Sequence, residues 1–64
     1  MSGTEFKAWM KGRDLRVADV ASTTNLDTNT VYAFIREESV RRTTKDILIR
    51  YAREFDAQRE AKAV

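Results

Sequence analysis

The sequence predicts an all-α domain of four helices, or five, built around a helix-turn-helix. Neither proline nor a run of strict apolar/polar alternation occurs in its 64 residues, so nothing breaks helices or favours strands. Apolar residues instead recur at three- and four-residue spacing in separate stretches, the period of helices with one buried face. Residues 16–36 spell two short amphipathic stretches joined by a polar turn, the layout of a helix-turn-helix.

The first helix spans residues 3 or 4 to 11. Ser2 and Glu5 have the spacing of a capping box, and Gly12 suits the left-handed residue that stops a helix. Phe6, Trp9 and Met10 form its buried stripe, so Trp9 reads as core rather than as a ligand or base-stacking platform. The second helix spans residues 17–23, with Val17, Val20 and Ala21 inward and Asp14 or Arg16 near its start. Arg16 is a poor cap. The small Ala21 lets this helix cross its successor closely.

In the turn of Thr24, Asn25 and Leu26, Asn25 is the non-glycine residue best able to take a positive φ, and Leu26 returns to the core. Asp27 is a good N-cap for the third helix, its carboxylate accepting from the amide of Asn29 or Thr30, with Leu26 and Val31 placed as a hydrophobic staple. That helix covers residues 28–38. At about 100° per residue, Val31, Phe34 and Ile35 gather on one side and Thr28, Asn29, Tyr32, Ala33 and Arg36 on the other.

Ser39, Val40, Arg41 and Arg42 read as a connecting loop, and Thr43 with Asp46 repeats the cap-plus-acid spacing that starts a helix. In the fourth helix Ile47, Leu48, Tyr51, Ala52 and Phe55 share one face and Arg50, Arg53 and Glu54 the other. Residues 56–64, rich in alanine and charge, extend that helix or fray. The whole chain, residues 1–64, is one domain.

So short a chain hides only about 60% of the surface its unfolded form exposes. Without cysteine or histidine, disulfides are impossible and the preferred zinc ligands missing, which leaves self-association as the reinforcement. No apolar run approaches the roughly 20 residues of a membrane span, and no signal-peptide pattern opens the chain; the expectation is a soluble, cytoplasmic protein. Serine and cysteine hydrolase arrangements are excluded with histidine, and no glycine-rich phosphate cradle exists. The carboxylates are scattered among basic neighbours; Glu37 and Glu38, adjacent on a helix, point in different directions. No catalytic residue, metal, cofactor or small-molecule substrate is expected.

Net charge is +2 and the sequence pI near 9.3, open to polyanions where basic side chains cluster. If the third helix lies in a major groove, Thr28, Asn29, Tyr32 and Ala33 face base edges and Arg36 faces either a base or a phosphate farther along. Asn29 has the amide geometry for adenine, Ala33 fits a thymine methyl, Tyr32 serves phosphate or sugar, and Arg36 forks onto guanine. Arg16, Arg41, Arg42 and Lys45 fall at the starts of helices two and four, where cations and amides grip phosphates.

With these residues in place, the chain resembles the phage repressor and Cro class of regulators, the XRE-like or lambda-repressor-like group. The resemblance runs from Phe6 to Phe55. It takes in Lys11-Gly12-Arg13-Asp14-Leu15, Val20-Ala21, Asn25-Leu26, Thr30-Val31, Arg41-Arg42-Thr43-Thr44 and Leu48-Ile49-Arg50-Tyr51-Ala52-Arg53. Arg16 stands where a capping Thr or Ser is common, Val17 at the phosphate-contacting position where Gln is frequent, and Thr24 where an aliphatic residue is usual. The C-terminal part is shorter than in five-helix members. The resemblance implies a bacterial or phage-encoded operator-binding transcriptional regulator that acts as a dimer on paired half-sites.

Val40, in a polar loop, and Ile49, about 100° off the main stripe of helix four, are candidate apolar surface for a weak homodimer formed on duplex DNA. A Cro-like repressor is the leading expectation. The alternatives are a DNA-bending excision or recombination accessory factor and a helical protein-interaction module such as an antirepressor target.

Overall fold

The computed structural model describes residues 1–62, with side chains through residue 60. Four helices follow one another: α1 (Gly3–Gly12), α2 (Val17–Thr24), α3 (Thr28–Ile35) and α4 (Arg42–Lys62), with no strand among the described residues. The fold is all-α, and α3 packs against both α1 and α2 while α2 also meets α4.

The core is the predicted set except that Leu15 and Val40 join it and Ile47 does not. Phe6, Trp9 and Met10 of α1, Val20 and Ala21 of α2, Val31 and Phe34 of α3, and Leu48 and Ala52 of α4 are buried, with Leu15, Val17, Leu26, Ile35, Val40, Tyr51 and Phe55 packed around them. Phe6 meets Phe34 edge-on at 5.4 Å, and Trp9 stands edge-on to Tyr51 and Phe55 at 6.0 and 5.6 Å, geometries that suit aromatic quadrupoles. Three helices thereby share one aromatic centre.

The start of α1 is fully satisfied. Ser2 Oγ accepts from the Glu5 amide at 3.1 Å and Glu5 Oε1 accepts from the Ser2 amide at 2.9 Å, completing the capping box. Glu37, just past α3, adds a second acceptor: its Oε1 takes the amides of Gly3 at 3.0 Å and Thr4 at 3.4 Å. These are helix-terminal donors with no intrahelical partner, at the positive end of the α1 dipole. The two ends touch so closely that a Cβ on Gly3 would lie 1.9 Å from the Phe34 carbonyl oxygen.

All three exits from α1, α2 and α3 use one device. Leu15 N–H donates to Met10 O, Leu26 N–H to Ala21 O and Glu38 N–H to Ala33 O, at 3.0, 3.0 and 2.9 Å. The residue before each donor is left-handed, with φ of 57° at Asp14, 59° at Asn25 and 60° at Glu37. This five-residue reach is the Schellman termination. Asn25 fills the predicted role. Gly12 does not: it is the last residue of α1 and Asp14 takes the positive φ two positions on, because the helix runs until Leu15 reaches the core. Likewise α3 ends at Ile35 rather than at residue 38, since Glu37 turns left-handed and its carboxylate is drawn to the start of α1.

Two further boundaries and two faces differ from expectation. Helix α4 begins at Arg42, with Lys45 N–H donating to Arg41 O at 3.2 Å. Thr43 therefore lies inside the helix instead of capping it. Val40, expected at the surface, packs against the core and brings the chain into α4 two residues early. Ile47 was expected inward but is 41% exposed, because the buried arc of α4 centres on Leu48 and Ala52 and leaves Ile47 at its edge. Ile49 is half-buried. The segment from residue 56 does not fray within the described residues: α4 continues to Lys62, and residues 63 and 64 lie outside them.

A clasp between α1 and α4 anchors this last helix. Asp56 accepts from Trp9 Nε1 at 3.0 Å, from Arg13 Nε at 2.6 Å and from a terminal Arg13 nitrogen at 3.1 Å. Arg13 also donates to Trp9 O at 3.0 Å and lays its guanidinium 4.7 Å from the Trp9 ring centroid. The fork-shaped donor set of arginine allows one side chain to hold carboxylate, carbonyl and ring together.

Candidate nucleic-acid interface

The polar face of α3 is presented by the cap before it and the core behind it. Asp27 Oδ1 accepts from the Asn29 amide at 3.2 Å, the predicted N-cap, and holds the first turn. Val31 and Phe34 are buried and Ile35 half-buried, so rotation of the helix about its axis is fixed. Helical periodicity then places the remaining face outward. Thr28, Asn29, Tyr32 and Arg36 are exposed and Ala33 half-exposed; none of the five is enclosed in the core.

Helix α2 is braced to carry this element. Arg16, at its N-cap, makes no side-chain cap bond; Asp19 Oδ2 instead accepts from the Arg16 amide at 3.0 Å. Only this half of a capping box can exist, since arginine has no acceptor. Thr24 satisfies its hydroxyl by donating to Val20 O at 2.7 Å, which lets a polar residue occupy a position expected to be aliphatic.

Two grooves flank α3. On one side Asn29 and Ala33 line a depression of about 480 Å³ together with Arg41 and Thr44. On the other, Tyr32 and Arg36 line a groove of about 640 Å³ whose opposite wall carries Lys7 and Lys11 of α1 and whose floor includes Val17. Asn29, Ala33, Tyr32 and Arg36 thus each line a groove that also carries a cation of another segment, whereas Thr28 lines neither. Arg36 is engaged with Glu38 across 3.0 Å, both side chains more than half exposed, an exposed pair that another anion can replace at little cost.

The predicted basic set is divided. Arg41 joins the α3 face, Arg16 is exposed at the start of α2, and Arg42 is exposed in the first turn of α4. Lys45 lies elsewhere, in a hollow shared with Met1, Glu37 and Glu38. The Val17 side chain contributes apolar lining and no polar group, which leaves its backbone N–H in the first turn of α2 as the donor it can offer. Sequence reasoning missed Lys7 and Lys11; their four-residue spacing puts them on one side of α1, but only the docking of α1 on α3 shows which side.

The titrations that depart from their ordinary values belong to other parts of the molecule. Hydrogen bonds from Ser2 lower the Glu5 carboxyl, burial raises Tyr51, and Arg13 with Trp9 lowers Asp56. Among the described residues no cluster of three or more His, Cys, Asp or Glu can hold a metal ion, and no helix is long and apolar enough to cross a membrane. No protein-family model matches this chain, and neither a curated protein nor a solved structure is significantly similar to it.

Proposed function

We propose that this chain is a sequence-specific double-stranded DNA-binding regulator that lays α3 in the major groove, a Cro-like repressor that works in the cytoplasm by occupying an operator. One observation carries the reading: the exposed polar face of α3 is bounded by Arg41 on one side and by Lys7 and Lys11 on the other. A groove-inserted helix needs that arrangement, because the two phosphate strands pass on either side of it.

In this reading Asn29 reads an adenine edge, Ala33 meets a thymine methyl, Tyr32 contacts sugar or phosphate, and Arg36 leaves Glu38 to fork onto guanine or phosphate. Thr28, in the first turn, serves either a base or a phosphate. Arg41, Lys7, Lys11 and Arg16 neutralise the backbone and supply affinity without sequence choice. Two copies related by a two-fold axis put their α3 helices about 34 Å apart, one turn of duplex.

Selection of bound sequences from a random duplex pool tests the proposal. A palindromic consensus whose binding weakens steeply with salt supports it. Failure to enrich any sequence, or binding insensitive to salt, overturns it. Sedimentation with and without the selected duplex then distinguishes a pair of copies from a single chain on one half-site.

A further inference from the structure

The groove between α1, the start of α2 and the end of α3 joins a cationic rim that suits phosphate to a floor that nucleic acid does not match. Its floor is apolar, made by Met10, Leu15, Val17 and Ile35. Its volume of about 640 Å³ falls within the roughly 300–1,000 Å³ of pockets that take up organic ligands. Sugar and phosphate are hydrated, polar groups, and covering such a floor with them gains little from the hydrophobic effect. Its rim is cationic: Lys7, Lys11 and Arg36 are exposed, with Asp14 the single acid among the lining residues. Tyr32, 47% exposed, adds an apolar ring with a polar tip, a side chain enriched at protein interfaces.

We propose that this groove docks a short amphipathic helical segment of a partner protein, apolar on one side and acidic along its flanks. The apolar residues cover the floor and the carboxylates meet Lys7, Lys11 and Arg36, a helix-in-groove mode. A second copy of this chain is a poor occupant. Its exposed apolar α4 residue, Ile47, has Arg50 beside it at helical spacing and would bring a cation to a cationic rim. Tyr32 and Arg36 belong both to this groove and to the polar face of α3, so an occupant displaces DNA; that consequence rests on the function proposed above, whereas docking does not.

The test is a chemical-shift titration of the ¹⁵N-labelled full chain with a peptide of about 14 residues, roughly four helical turns. Leucine stands at i, i+3, i+4 and i+7 with glutamate on the flanks, and a matched peptide carries lysine at every glutamate. The expected result is perturbation of the amides of residues 7–17 and 32–36. The acidic peptide binds about ten-fold or more tighter than the basic one, a difference of about 1.4 kcal/mol, and the order reverses in the K7E/K11E variant. Both altered positions are exposed, and a thermal melt checks that the variant folds. No perturbation at millimolar peptide, equal binding of the two peptides, or shifts confined to other surfaces overturns the proposal. A parallel titration with a duplex of about 20 base pairs, two turns, separates the two readings. A duplex that perturbs Leu15 and Val17 where the peptide does not assigns the groove to nucleic acid and overturns docking; a peptide that binds while the duplex leaves α3 unperturbed supports docking and removes the displacement of DNA.

Discussion

Replacing Gly3 by alanine tests how α3 is held. The new Cβ would sit 1.9 Å from the Phe34 carbonyl oxygen and 3.0 Å from the Phe34 carbon and the Ile35 oxygen. All three are backbone atoms, so no side chain can swing aside. Restoring contact of at least 3.0 Å requires the start of α1 and the end of α3 to separate by about 1 Å, which overpacking studies place at about 1–3 kcal/mol. The same separation stretches the bonds from the Gly3 and Thr4 amides to Glu37, each of which contributes about 1 kcal/mol where partly solvated. Alanine regains at most about 1 kcal/mol of helix propensity, so the net loss is about 2–4 kcal/mol. For a domain this small the total is roughly 3–10 kcal/mol, and chemical denaturation followed by circular dichroism will show a large fall in midpoint. The same substitution at Gly12 meets nothing within 4 Å and should stabilise by up to about 1 kcal/mol. If Gly3→Ala and Gly12→Ala shift the midpoint equally, the tight contact between α1 and α3 is wrong.

Asp14→Gly removes, from a left-handed position, a side chain that makes no hydrogen bond among the described residues, and should raise stability by about 1 kcal/mol, measured by the same denaturation; a loss would show that the Asp14 side chain stabilises the fold. Because the folded Asp56 carboxyl is depressed by Arg13 and Trp9, its contribution is present above the unfolded value of 3.8 and is lost as pH falls through the lower folded value. Asp56→Asn should therefore lower the melting temperature at neutral pH and shrink the fall below about pH 4; an unchanged acid limb would contradict the clasp. Arg41→Ala should weaken all duplexes to a similar degree and reduce the salt slope by about one, read by fluorescence anisotropy, whereas a loss confined to one sequence would make Arg41 a base reader.

How far the sequence discloses this molecule depends on the range of each interaction. Caps made within three residues were legible: Ser2 with Glu5 and Asp27 with the Asn29 amide. So was Asn25, whose turn chemistry is local. The other two left-handed positions were hidden, because an acid takes each and only the six-residue geometry of Leu15 on Met10 and Glu38 on Ala33 explains them. Gly12 misled for the same reason. The closeness of Gly3 to Phe34 and the grip of Asp56 on Trp9 and Arg13 span more than 30 positions, beyond any periodicity. The exposed face of α3 was readable from its 3.6-residue spacing. Of its basic flanks only Arg41 was, since helix packing decides that Lys7 and Lys11 join it and Lys45 does not.

The central claim is that the polar face of α3 reads base edges. Repeating the duplex selection with Asn29→Ala tests it most directly, since Asn29 is exposed and its removal leaves the core untouched. The account predicts a consensus altered at one position in each half-site, with a loss of about 1–3 kcal/mol on the original sequence. An unchanged consensus bound with unchanged affinity would contradict it.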